Sequence, residues 1–181
     1  MENAIENLLS KRHPLMIVYF KDGLNLKVEK KQSDLASEFH NFYYIGANSS
    51  LLPFLTVREN LLLGIARKDK KAYLQEIIKW GNYFKLAEAI THQKATAISS
   101  ETRLLIHLIR GLALHREIIF LNELELDLSL EFTLSLIPSL KKIAKESSTA
   151  FIILTAQAEL KDQEGTILID VQQQENRDGK S

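Results

Sequence analysis

Ile118-Ile119-Phe120-Leu121-Asn122-Glu123 is the stretch on which the fold turns. Four apolar residues, two of them β-branched, stop abruptly at an amide and a carboxylate. A run this short, without alternation, reads as a strand covered on both faces, as strands of a parallel sheet are. Downstream, a helical pattern from about Leu130 to Lys145 leads to Phe151-Ile152-Ile153-Leu154-Thr155, which repeats the buried-strand pattern. Upstream, Leu104, Leu105, Leu108, Ile109 and Leu112 form the apolar stripe of a helix that Ser99 or Ser100 would cap. Leu15 to Phe20, Phe42 to Ile45 and Thr166 to Val171 supply further strands. Strands separated by helices build an α/β domain around a mainly parallel sheet. In such sheets the chemistry sits at the carboxyl ends of the strands. That directs attention to Gly46-Ala47-Asn48, Asn122-Glu123 and Thr155-Ala156-Gln157.

The chain of 181 residues suits one domain, or a domain with a subdomain. Its 23 basic and 23 acidic residues balance, which argues against a broad nucleic-acid surface. There is no cysteine, hence no disulfide and no thiolate metal site, and this fits a reducing cytoplasm. No apolar run reaches the roughly 18 residues that span a bilayer. Glu2, Glu6 and His13 speak against a signal peptide.

Helical spacing is expected near residues 2–10 and 33–40. A helix opens after Thr56, a plausible N-cap, and a small helical insertion is expected across 68–91. The polar segment 172–181 reads as a flexible tail. His13, His40, His92, His107 and His115 are scattered without ligand spacing, so no metal site is expected. His107 and His115 read as helix-surface or helix-end residues.

Leu51-Leu52-Pro53-Phe54-Leu55-Thr56-Val57-Arg58-Glu59-Asn60 resembles the segment after the Q-loop in ATP-binding subunits of ABC transporters. The likeness continues in order. Ile98-Ser99-Ser100-Glu101-Thr102 sits where that family has its LSGGQ signature, and Ile118 to Glu123 sits where it has its Walker B strand and Asp-Glu pair. Thr155-Ala156 falls on the family's Thr-His switch. The resemblance implies a P-loop-NTPase-like fold: an α/β core at 1–65 and 98–171, a helical subdomain at 66–97 and the tail at 172–181.

The resemblance also implies losses. A P-loop needs clustered glycines, a Lys and a Ser or Thr to wrap phosphate. If Ile5 to Leu9 is the helix beyond that loop, its Gly-Lys-Ser-Thr positions fall on Met1-Glu2-Asn3-Ala4, and the P-loop strand is lacking. The seven glycines are too dispersed to build either that loop or a signature turn. The magnesium-orienting Asp becomes Asn122, weakly suited to a hard dication. Glu123 stays at the position of the water-polarising carboxylate but has nothing to act on, and the favoured reading is a solvated strand-end acid. The Q-loop glutamine falls on Ala47 and the switch histidine on Ala156. Ser99 is retained, but the signature glycines become Ser100 and Glu101, and a carboxylate there repels a triphosphate. The D-loop Asp maps to Ser129, or to Asp127 two residues before it if the register slips.

The expectation is therefore a pseudo-ATPase, without catalytic residues or cofactor, acting as an interaction or regulatory subunit. Its expected partners are an ABC permease or an intact ABC ATPase subunit, or a second copy of itself, with no nucleic acid and no membrane insertion. It would be cytoplasmic, or peripheral at the membrane through such a partner. The alternative is a half-site subunit that lends Ser99 to ATP held by an intact ATPase. In the family the Q-loop and helical subdomain receive the transporter's coupling helix, which makes Leu52, Phe54, Trp80 and Tyr83 the candidate partner surface. For Trp80 and Tyr83 a place in the core is the leading reading. The missing strand should leave a gap beside Ile118 to Leu121, to be filled by Leu15 to Phe20 or by self-association.

Overall fold

The computed structural model describes residues 15–19, 41–46, 49–122, 124–163 and 167–170. The helices expected at 2–10 and 33–40, the positions Met1-Glu2-Asn3-Ala4, Ala47 and Glu123, and the tail lie outside them. The chain divides into two compact units, one of Met1–Ala47 with Glu117–Ser181 and the other of Asn48–Arg116. The second takes in the 66–97 segment together with its flanks.

The first unit is built on five parallel strands: β1 (Leu15–Tyr19), β2 (Phe42–Ile45), β3 (Ile118–Asn122), β4 (Ala150–Thr155) and β5 (Ile167–Asp170), in the order β2-β3-β4-β1-β5. Every residue of β1 and β3 is buried. This is the burial that runs without alternation require. Helix α5 (Leu130–Glu146) presents buried Leu136, Ile137, Leu140 and Ile143 at i, i+1, i+4, i+7 and packs on β1 and β4. Ser129 caps it, its side chain accepting from the Phe132 amide. Phe42 and Phe120 meet edge to face across β2 and β3, ring centroids 5.9 Å apart.

The gap expected beside Ile118 to Leu121 is absent. β3 is paired on both sides, by β2 and by β4. Leu15–Tyr19 does lie inside the sheet, but between β4 and β5 and not against β3. The placement follows from the connections. From β1 the chain travels to the far edge at β2, returns through β3 to β4, then steps over β1 to β5. Connections leave β1 and β4 in opposite directions, which makes the carboxyl end of β1 the topological switch point of the sheet.

The second unit contains α1 (Val57–Leu62), α2 (Lys70–Tyr83), α3 (Glu88–Thr91) and α4 (Ser100–Ala113). Thr56 caps α1 in a full capping box with Glu59, whose carboxylate accepts from the Thr56 amide at 2.7 Å. That backbone hydrogen bond first, and then the Thr56 hydroxyl donating to the same carboxylate at 2.8 Å, hold the Glu59 carboxyl below its ordinary range. A six-residue helix cannot stand alone, and α1 is fastened at its far end. The Arg110 guanidinium donates to the carbonyls of Asn60 (3.0 Å) and Leu63 (2.6 Å), and the Tyr73 hydroxyl donates to that of Leu61 (2.9 Å). Helices α2 and α4 pack on each other. Each ends in a Schellman motif with a left-handed non-glycine residue, Lys85 and His115 respectively.

Candidate functional site

The carboxyl ends of β1, β3 and β4 gather Tyr19, Asn122 and Thr155. Tyr19 stands opposite Thr155 in the ladder, and Asn122 opposite Leu154. All three are buried: Tyr19 is 6%, Asn122 4% and Thr155 1% exposed. The chain turns sharply after β4, the Gln157 amide donating to Thr155 Oγ1 at 3.0 Å. A 3-10 turn (Ala158–Leu160) anchored by buried Leu160 then carries Lys161 back over β1. Its ammonium lies 3.6 Å from the centroid of the Tyr19 ring. Such a cation–π contact contributes about 1 kcal/mol, more as it is desolvated. A phenol capped by an ammonium thus occupies the switch point. Ala156 offers only a methyl group there.

Tyr19 and Lys161 escaped the sequence reading. The available signal was that Leu15 to Tyr19, alone among the apolar runs, passes into aromatic residues at its carboxyl end.

The signature-like segment belongs to the second unit. Ser99 is the N-cap of α4, its Oγ accepting from the Thr102 amide (3.2 Å) and bonding the Thr102 hydroxyl (3.0 Å). The hydroxyl is committed to the cap, and Glu101 sits exposed in the first helical turn, where the helix dipole favours an anion of its own. Ser99→Ala should cost about 1 kcal/mol in unfolding free energy. A denaturant titration checks this, and a loss below about 0.3 kcal/mol would refute the cap's importance.

Among the residues proposed for a partner surface, Phe54 is 68% exposed, whereas Trp80 is only 8% exposed. Leu52 and Tyr83 are half-buried. Trp80 and Tyr83 meet edge to face at 5.8 Å, and Tyr83 meets Phe84 at 5.2 Å. The Lys94 ammonium donates to the Phe54 carbonyl at 2.8 Å, which fixes the loop that presents the exposed ring.

His107 departs from its expected place on the helix surface. It is 7% exposed, and its Nε2 lies 3.1 Å from the Ser49 carbonyl, to which the ring donates. Burial pushes its pKa down to about 4, against the raising effect of that hydrogen bond and with help from Arg110 and Arg103. Among the described residues there is no cluster of three or more metal-ligating side chains, and no helix long and apolar enough to cross a membrane.

No protein-family model matches the sequence, and no curated protein does. Solved structures do. A metal-chelate-type ABC transporter in an inward-facing conformation superposes with TM-score 0.65 at 18% identity, covering 88% of this chain and 71% of that one. A dimeric bacterial ABC transporter cassette gives TM-score 0.55 at 16% identity, over 76% of this chain and 62% of its own.

The fold is that of an ATP-binding cassette.

A second cassette structure, a post-hydrolysis dimer bound to ADP and phosphate, gives TM-score 0.54 at 14% identity over 81% of this chain and 75% of that one. At these identities the cassette likeness concerns the path of the backbone. What the strand ends can do rests on the side chains this sequence places there.

Proposed function

We propose that this cassette-fold chain does not hydrolyse ATP and serves as an interaction or regulatory subunit of an ABC transporter system. The single observation that carries the reading is the Tyr19–Lys161 cap on the switch point. A nucleotide-binding loop leaves the sheet at such a point with bare, glycine-rich backbone, so that amide groups can reach phosphate. Here the chain leaves β1 through Tyr19-Phe20-Lys21-Asp22-Gly23-Leu24-Asn25-Leu26, with a single glycine and no Gly-Lys-Ser/Thr. On this reading the vestige of the phosphate loop follows β1, not Met1. The cassette strand is kept and its loop chemistry is gone. Asn122 and Ala156 support the same conclusion, since neither supplies a carboxylate or an imidazole. These residues do not fit a magnesium triphosphate.

Calorimetric titration of the intact chain with Mg-ATP should give no saturable heat up to about 1 mM, a level at which binding would have to be weaker than about −4 kcal/mol. Micromolar affinity would overturn the proposal. The alternative, in which Ser99 is lent to ATP on an intact ATPase, has the preserved helix cap in its favour. Against it stand the engaged Ser99 hydroxyl and the exposed Glu101 carboxylate. It requires that ATPase activity of a reconstituted complex depend on this chain and fall in Ser99→Ala.

A further inference from the structure

The second unit holds a cavity of about 330 Å³ that the strand-end site does not involve. Its floor is apolar, made by fully buried Leu61 and Ile109 with half-buried Leu74, Ile77 and Leu86. Its exposed lining is Arg58, Ile78, Asn82 and Glu88, three of them polar. None of these three side chains has a hydrogen-bond or ion-pair partner among the described residues, so Arg58 and Glu88 do not pair with each other. One cation and one anion, not paired with each other, therefore line a mainly apolar pocket.

Gly81 adds a second, independent observation. It lies inside α2 and lines the cavity, and a Cβ built on it would meet nothing within 4 Å. Glycine weakens a helix interior relative to alanine. No contact within the described chain requires that loss. A molecule that comes close to the α2 backbone would require it.

We infer that this cavity binds a large apolar α-amino acid in its zwitterionic form. The apolar side chain lies on the Leu61–Ile109 floor across Gly81, the carboxylate meets Arg58 and the ammonium meets Glu88. The assignment is chemical. An apolar floor selects an apolar body, and a lining with one free charge of each sign selects a ligand with both. The volume lies near the lower end of the range for ligand pockets, about 300–1,000 Å³, which suits one such molecule. This site is separate from the nucleotide question and stands or falls independently of it.

The test is calorimetric titration of the intact chain with L-leucine and L-phenylalanine. Saturable binding is expected, and Gly81→Leu, which fills the space over α2, should abolish it while leaving the melting temperature unchanged or higher. Arg58→Gln should weaken L-leucine about tenfold and leave L-leucinamide, which has no carboxylate, unaffected. Glu88→Gln should weaken L-leucine to a similar degree and leave N-acetyl-L-leucine, which has no ammonium, unaffected. Absence of saturable heat up to about 10 mM would overturn the inference, since a site weaker than that gains under about 3 kcal/mol. Equal binding of N-acetyl-L-leucinamide would overturn it too, because it would identify the occupant as an apolar residue within a polypeptide.

Discussion

Asn60→Ala is expected to lower the unfolding free energy by about 3 kcal/mol, as three side-chain hydrogen bonds are lost from a buried amide. Asn60 is 2% exposed. Its Oδ1 accepts from the Leu52 amide at 2.7 Å, and its Nδ2 donates to the carbonyls of Leu52 (3.1 Å) and Thr56 (3.0 Å). One side chain thus ties the loop at Leu52 to the start of α1, while the Asn60 backbone carbonyl receives Arg110 from α4. Truncation leaves the Leu52 amide without its acceptor and opens space beside a six-residue helix that depends on such ties. Asn60→Asp is the informative companion. It keeps the acceptor for the Leu52 amide but sets a carboxylate against two carbonyls, so it should be at least as damaging as alanine. Urea unfolding followed by the fluorescence of Trp80, the sole tryptophan and a member of the same unit, measures both. The midpoint should fall with the slope unchanged. A loss below about 1 kcal/mol would show that solvent replaces the clamp.

The parts of this molecule that were legible in its sequence are those where one local rule acts alone. Ile118 to Leu121 and Phe151 to Thr155 read as strands because a sheet covered on both faces demands unbroken apolar runs. Thr56 and Ser99 read as caps because their side chains answer amides three residues ahead. Strand neighbours were not legible. Leu15 to Tyr19 is an apolar run like the others, and its place between β4 and β5 is decided by where the connections travel. For the same reason Tyr19 at the switch point went unnoticed. Asn60 and His107 were missed because their burial comes from several elements converging. The clue for His107 was the rest of α4. Ile106 and Ala113 lie off the Leu104–Leu108–Leu112 stripe, and a helix apolar on nearly all sides is buried on nearly all sides. Trp80 had two readings in sequence, and its 8% exposure distinguishes its surroundings from those of Phe54.

Acid should destabilise the chain through His107, and the sign follows from the direction of its shift. The folded pKa is lowered to about 4, first by burial, whereas an unfolded histidine titrates near 6.5. As pH falls through 6.5 the unfolded chain takes up a proton that the folded chain refuses, so unfolding becomes easier. The loss grows until pH reaches about 4, where the folded ring protonates too, and it then levels off. Above pH 6.5 the group contributes no pH dependence. A gap of this size corresponds to about 3 kcal/mol at its full extent. His107→Gln provides the comparison, because its amide can still donate to the Ser49 carbonyl but cannot take up a proton. Carboxylates titrate in both proteins at the acid end, so the quantity to measure is the difference between their stabilities from pH 7 to pH 4. That difference should be flat above pH 6.5 and move steadily in favour of His107→Gln below it. Parallel curves would mean that the folded protein accommodates an imidazolium beside Arg110 and Arg103, and that His107 is not held neutral. The loop carrying Ser49 should loosen over the same window, since its carbonyl is bound by the ring that acid strains. Amide exchange in residues 49–55 should quicken below pH 6 in the wild-type chain beyond its intrinsic pH trend, and not in His107→Gln.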